Sequence, residues 1–311
     1  MTSLKARIRE AALGLGFSAC GFAENTPLEE IRPRYEAWLR DNGGAGLTYL
    51  SRYLEQRLQP EKLVPGTRTV IALLLNYFPP EPLPADDRFI FAKYVCTPDY
   101  HRVVKEKMQV LSGFLANECG AKITRAFVDS GPVQEKEWAV RCGVGWQGKN
   151  TLVINRKGGS FFFIGILFTD LTVEPDPSAT GLCGSCDRCV KACPTGALDT
   201  PYHLNVTRCI SFHTIENHKE IPPEIGSKLN RRIYGCDICQ DACPYNRAAR
   251  PNSVPEFTIP EQLRAMRTKD WLSLNEEDFN RIFEDTPVKR IGYAKLMANI
   301  RAASPSGTFP G

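Results

Sequence analysis

No stretch of this 311-residue chain is apolar for long enough to cross a bilayer. Its longest apolar runs, "TVIALLLNYF" and "SFFFIGILF", are about ten residues, suited to buried strands and far short of a membrane-spanning helix. The opening "MTSLKARIRE" has neither an apolar segment nor a small-residue cleavage site, so no export signal is expected and the chain reads as soluble and cytoplasmic. Strong charge of one sign is missing too: the net charge is +4, compatible with a polyanionic partner without requiring one. No G-x-G-x-x-G opens a helix after the first strand, which leaves a Rossmann dinucleotide site unsupported. "GVGWQGKN" is glycine-rich but lacks the spacing of a P-loop. "DYHRVV" has valine where a D-x-H-x-x-G stretch has glycine. No 20–50-residue repeat precedes the cysteine-rich region.

Cysteine, by contrast, is abundant. Eight of the twelve fall between Cys183 and Cys243, leaving Cys20, Cys96, Cys119 and Cys142 outside. A disulfide framework belongs to small secreted domains. Tetrahedral zinc is the better rival, but it needs no third cysteine two residues on and no Cys-Pro after it. "CGSCDRCVKACP" has the C-x2-C-x2-C-x3-C-P spacing of bacterial ferredoxins, whose fourth cysteine ligates the other cluster. "CDICQDACP" repeats it, with Ile233 where the first cysteine would fall and Cys209 available as replacement. The crossover rule then yields two sets of four: Cys183, Cys186, Cys189 and Cys243, and Cys193, Cys209, Cys236 and Cys239. Two adjacent 4Fe–4S clusters form a one-electron relay that needs an acceptor.

The remaining sequence alternates strands and helices. Ser3 caps a helix over 3–14, "FSACGFA" is a strand, and "PLEEIRPRYEAWLRDNGG" carries a second helix. "TRTVIALLLNYF" is a buried strand, "PPEPLPADD" a loop, and a long helix runs from about Asp99 to Glu118. "ITRAFVD" is a strand, "VQEKEWAVRCG" a helix, and "TLVIN" and "SFFFIGILF" flank "RKGG" as a hairpin. The expected class is α+β, with a mixed sheet across residues 1–172, a ferredoxin-like two-cluster unit over 173–250 and a short helical segment over 251–311. Asp129 in "AFVDSGPV" ends a strand and would stand at the sheet's edge; locally its default job is to cap the helix near Val133. Asp99, Tyr100 and His101 form a second polar knot, for which an exposed helix N-terminus is the default.

Several motifs together resemble the epoxyqueuosine reductases: "DSGP" at 129–132, "WQGKN" at 146–150, "GSFFF" at 159–163, "DYH", "RCISFHTIE", "YGCDICQDACPYN" and the eight cysteines. The resemblance spans about residues 5–300. It implies a cobalamin-dependent enzyme that reduces the epoxide of epoxyqueuosine at the tRNA wobble position to queuosine, fed by two 4Fe–4S clusters. It makes Asp129 the proton donor beside the cobalt, held protonated by burial against the corrin. It sets Arg57, Tyr100 and His101, with lower weight Cys96, and also Val153 and Ile164, around the corrin or substrate. Without D-x-H-x-x-G, the resemblance implies cobalamin bound with no histidine beneath the metal. Tyr245 replaces the usual tryptophan after Cys243-Pro244.

Longer family members end in a HEAT-like repeat, of which "TPVKRIGYAKLMANIRAA" matches only the first helices, and "SPSGTFPG" reads as a frayed tail. RNA contacts would then fall to Arg231, Arg232, Arg247, Arg250, Lys289, Arg290, Lys295 and Arg301. The expected partners are tRNA carrying epoxyqueuosine and an external low-potential electron donor, with the protein a monomer. A reductive-dehalogenase-like enzyme, a plain electron carrier and a nucleic-acid-binding module with structural clusters are the alternatives.

Overall fold

The computed structural model describes residues 2–81, 83, 88–96 and 98–304; the side chain of Cys96 and the tail 305–311 lie outside the described residues. Its helices in chain order are α1 (Leu4–Gly14), α2 (Arg32–Asp41), α3 (Leu54–Leu58), α4 (Tyr100–Cys119), α5 (Glu135–Arg141), α6 (Arg188–Ala192), α7 (Ile210–Ile215), α8 (Pro223–Gly226) and α9 (Ile238–Asp241). Four more, α10 (Glu261–Ala265), α11 (Thr268–Leu272), α12 (Glu276–Ile282) and α13 (Gly292–Ala303), close the C-terminal part. The strands are β1 (Ala19–Glu24), β2 (Thr69–Asn76), β3 (Ile90–Phe91), β4 (Thr124–Phe127), β5 (Trp146–Gln147), β6 (Val153–Ile154), β7 (Phe162–Thr169) and β8 (Arg232–Tyr234).

The unbroken apolar run of β2 is explained by two cores, one on each face. Ile71, Leu73 and Leu75 pack with Ile8 and Ala12 of α1 and Val104, Met108 and Leu111 of α4. Val70, Ala72 and Leu74 pack with Trp138 and Ala139 of α5, Leu28 and Leu58. Alternate residues of a strand point to opposite faces, so a strand covered on both sides shows no polar alternation. β7 divides likewise, with Phe163 and Leu167 toward α4 and Ile166 and Phe168 toward α5. Gly165 lets α4 approach closely, since a Cβ there would lie 2.5 Å from Met108 Sδ.

The class is α+β as expected, but the four-stranded sheet is not mixed. Its order is β1-β2-β7-β4 and every pairing is antiparallel. The β2–α4–β4 crossover does bring two parallel strands to one sheet, yet β7 enters between them and pairs with both. The alternation of strands and helices signalled the crossover and could not signal the late insertion. The hairpin expected across "RKGG" also dissolves, leaving a single bridge between Asn155 and Gly159. β6 pairs with β5 instead. Asn155 stabilises the turn locally, its Oδ1 accepting from the backbone N–H of Lys157 and Gly158, while β7 gains burial on both faces in the central slot.

A third core gathers the parallel β3–β8 pair, α7 and the C-terminal helices around Trp271, Phe279, Phe283, Leu296 and Ile300. Buried Asn299 ties α13 to it, donating to the carbonyls of Thr214 and Ile233. Phe89, Phe91 and Val95 belong to this core, whereas Val254 and Phe257 belong to the first. The chain thus passes between the sheet cores and this one five times.

Candidate active site and cluster centres

Asp129 follows β4 in the left-handed region, at φ +56°. It is not a helix cap: α5 begins at Glu135 behind Gln134, with no side-chain cap bond. Its carboxylate, 61% exposed, instead accepts at Oδ2 from the Tyr100 hydroxyl at 2.7 Å and lies 3.1 Å from His101 Nε2. Asp99 does cap α4, accepting from the His101 backbone N–H, and the same Oδ1 lies 2.7 Å from His101 Nδ1. The Tyr100 ring is sandwiched between His101 and Phe163, with centroids 4.1 and 4.0 Å away. A strand end, a helix N-terminus and a central strand therefore fix one polar knot with a flat aromatic wall.

The knot's own side chains favour an ionised Asp129. The bond from His101 is the largest influence on Asp129 and lowers its pKa; burial opposes this and Tyr100 adds to it, leaving the carboxyl below its ordinary value rather than raised. His101 is raised, first by its bond to Asp129, against burial, and then by Asp99. Tyr100 is raised by burial and by the Asp129 charge. The proton of the knot therefore rests on the imidazole. Glu135 accepts a hydrogen bond from the Asp129 backbone N–H, and burial, then the Asp129 charge, push its own pKa up to about 8. Lys136 is lowered by burial and lies within electrostatic reach of Glu135, Asp129 and Cys239.

Of the other residues singled out from sequence, Arg57 is buried and donates to the carbonyls of Arg52 and Tyr49. Tyr49, 49% exposed, feels Glu216, Asp129, Arg290 and Arg57 together. Val153 and Ile164 face the core beneath α5. Arg290 pairs with Glu216 at 2.6 Å and acts electrostatically on Asp129 and Tyr100. The remaining basic candidates are not drawn to the knot. Arg231 bonds Thr268, Arg232 the Asn230 carbonyl, and Lys289 the Asn280 side chain, while burial lowers Lys295. Arg247, Arg250 and Arg301 are exposed. Sequence reading missed Tyr49, Glu135 and Lys136; Tyr49 is recruited by distant Glu216, Asp129 and Arg290, whereas Glu135 bonds Asp129 only six residues away.

The cysteines sort into two groups. Cys183, Cys186, Cys189 and Cys243 line one cavity of about 300 Å³, with Lys149, Asn150, Ile154, Leu182, Pro244 and Tyr245. Cys209 is influenced by Cys193, and Cys239 by Cys236 and Cys209. The groups adjoin, since α6 and α9, carrying Cys189 and Cys239, pack together. Burial pushes Cys193 up, but the Thr195 hydroxyl and the N–H groups of Leu198, Ala197 and Thr195 outweigh it and hold the thiol below its ordinary value. Backbone N–H groups likewise face Cys209, from Phe212 and Ser211, and Cys243, from Tyr245 and Asn246. Thiols ringed by N–H donors around a space suit a sulfur-rich anionic cage. The knot also fits a corrin: the macrocycle brings its own nitrogen ligands, and both ring nitrogens of His101 are already engaged by carboxylates.

Comparison with known proteins agrees with the iron–sulfur part of this chemistry. The 4Fe-4S double cluster binding domain matches residues 182–246, spanning all eight cysteines, and the family described as epoxyqueuosine reductase QueG, DUF1730, matches residues 57–130. The chain is 43% identical over 300 residues to an epoxyqueuosine reductase of Leadbetterella byssophila, covering 96% of this chain and 98% of that one. It is 41% identical over 293 residues to one from Cellulophaga algicola, covering 94% and 95%. A crystal structure of epoxyqueuosine reductase with an epoxyqueuosine-modified tRNA-Tyr stem loop superposes with a TM-score of 0.87 at 29% identity, covering 96% of this chain and 80% of that one. Among the described residues no helix is long and apolar enough to cross a membrane. Near-full-length identity above 40%, an iron–sulfur double-cluster region and a matching fold give one conclusion: the chain belongs to the epoxyqueuosine reductase family of oxidoreductases.

Proposed function

We propose that this enzyme reduces the epoxide of epoxyqueuosine in tRNA with cobalamin and two 4Fe–4S clusters, and that Asp129 delivers the proton. The carrying observation is the Asp129 carboxylate, exposed on a left-handed turn yet gripped by Tyr100 and His101, beside a lysine that also feels Cys239. Conversion of epoxide to alkene takes two electrons and two protons and releases water. Cobalamin, when bound, supplies a low-valent nucleophilic metal, and the clusters supply single electrons.

The chain's own residues manage the proton. At rest His101 is the acid, with Asp99 holding Nδ1 and Asp129 facing Nε2. A ligand covering the exposed Asp129 removes water from it, which disfavours the charged carboxylate. His101 then passes its Nε2 proton to Asp129 Oδ2, and the neutral carboxyl protonates the departing epoxide oxygen. Tyr100 orients that oxygen, and Glu135 holds the turn through the Asp129 backbone N–H.

In the same reading Cys183, Cys186, Cys189 and Cys243 hold one cluster and Cys193, Cys209, Cys236 and Cys239 the other, within a unit over residues 173–250 that follows a cobalamin-binding unit over 1–172. Arg57 shapes the corrin wall by fixing Tyr49, and Val153 and Ile164 back it through the core. Arg290, with Arg231, Arg232, Lys289 and Lys295, forms the RNA rim. The protein works as a cytoplasmic monomer with an external low-potential donor. Anaerobic reconstitution tests this directly. The expected holoenzyme carries about eight irons and one cobalt per chain and converts a modified stem-loop to queuosine, read by mass spectrometry. Absence of cobalt binding, or an unchanged stem-loop, would refute it.

A further inference from the structure

The two thiol groups differ in what surrounds them. Cys239 lies toward the acid knot, within reach of Lys136, and beside buried Tyr77. The cavity lined by Cys183, Cys186, Cys189 and Cys243 is instead bordered by surface. Leu182, one of its lining residues, is 42% exposed, and Tyr202 is 44% exposed. Single exposed apolar residues are ordinary, but these two are built into place. The Leu182 carbonyl accepts from the Tyr245 hydroxyl at 3.2 Å. Lys149 Nζ donates to the Gly184 carbonyl at 2.7 Å, and the Lys149 carbonyl accepts from the Tyr202 backbone N–H at 3.0 Å. Tyr202 is held in the left-handed region at φ +67°, an unfavourable state for an aromatic residue. Its hydroxyl lies within electrostatic reach of Cys183 and Cys189.

The charges around this patch are mainly positive. Lys149 lines the cavity, Arg188 and Lys191 flank Cys189 on α6, and Arg247 follows Cys243 by four residues. Arg188 and Arg247 are exposed, and Lys191 is 76% exposed. Against them stand Asp187, paired with Lys191, and Asp199, paired with His203. A small apolar centre inside a basic border, next to a redox group, matches the transient, electrostatically steered interfaces of electron-transfer proteins.

We infer that the face formed by Leu182, Tyr202, Lys149, Arg188, Lys191 and Arg247 docks a small acidic one-electron carrier protein, which delivers electrons through the Cys183 cluster. This deepens the reading above and rests on its assignment of the clusters. Each docking oxidises the carrier by one electron and reduces the cluster by one. Two dockings, with two protons, match one epoxide reduced to alkene and water. Arg247, read from sequence as an RNA contact, belongs to this face.

The test mixes cluster-loaded holoenzyme anaerobically with reduced plant-type ferredoxin, an acidic low-potential carrier, and follows bleaching of the cluster absorbance. Arg188→Glu with Lys191→Glu should slow ferredoxin-driven reduction about tenfold at low salt, while reduction by dithionite stays unchanged. The wild-type ferredoxin rate should fall with added salt. Tyr202→Ser, outside the cavity lining, gives a second arm should the charge reversals impair cluster loading. Unchanged ferredoxin rates in these variants overturn the proposal. So does weakened stem-loop binding at unchanged ferredoxin rates, which would make the face an RNA surface. Bleaching needs neither cobalamin nor RNA. Should it follow the expected pattern while dithionite-driven wild-type enzyme forms no queuosine, the docking face stands and the epoxide reading falls.

Discussion

Replacing His101 by glutamine removes the residue that stores the proton and leaves Asp129 in place. In the wild type the proton is shared between a raised imidazole and a lowered carboxyl. Single-turnover reduction should therefore hold steady at low pH. It should decline only as pH rises through the His101 pKa, which lies above the ordinary histidine value near 6.5. In His101→Gln, Asp129 must carry its own proton. With the imidazole gone it loses both the largest influence on its ionisation and the neighbour that hands it a proton, so the carboxyl must be protonated from solvent. The expected loss at pH 7 is about 10²–10³-fold, within the range for general acid catalysis, and the deficit should shrink tenfold for each unit of acidification. The assay is rapid-quench conversion of a modified stem-loop between pH 5 and 9, with cobalamin and cluster absorbance confirming a loaded enzyme. A variant that keeps the wild-type profile, or loses activity equally at every pH, would show that His101 does not load Asp129.

Asp129→Asn should retain cofactor and clusters while losing about 10²–10⁴-fold in turnover, measured under saturating reductant. Cys209→Ser and Cys193→Ser should abolish the same electron paramagnetic resonance signal, and Cys243→Ser the other one; iron should fall from about eight to about four per chain in each. Trp138→Ala, at a fully buried site under the sheet, should cost about 3–5 kcal/mol in chemical denaturation. Arg290→Ala should weaken stem-loop binding and reduce its salt slope by about one phosphate contact, read by filter binding across a salt series.

Elements whose signal is local were legible in the sequence. β2 and α4 announce themselves through a continuous apolar run and helical spacing, and Ser3 caps α1 as its side chain suggests, accepting from the Ala6 N–H. The cysteine spacing identified an iron–sulfur region because ligand geometry is encoded over a few residues. What depends on distant segments was not legible. β7 enters the sheet only after five helices and six strands have passed, so neither its neighbours nor the loss of the "RKGG" hairpin was visible locally. The ionisation of Asp129 is set by a histidine 28 residues away, a pairing that no local pattern signals. Asp99 behaved as its local default; Asp129 did not, since the helix beyond it starts too late to be capped.

The place of β7 also constrains how the protein comes to life on the ribosome. Until about residue 169 has been made, β2 and β4 each expose a bare hydrogen-bonding edge, and the turn bearing Asp129 hangs from a strand with no partner. Nascent chains shorter than this cannot assemble the Asp129 knot, whose aromatic wall includes Phe163 of β7, and present sticky edges to one another. The last strand inserted is thus the keystone, and a substitution that weakens its entry should reveal itself first as aggregation during synthesis rather than as a faulty catalyst.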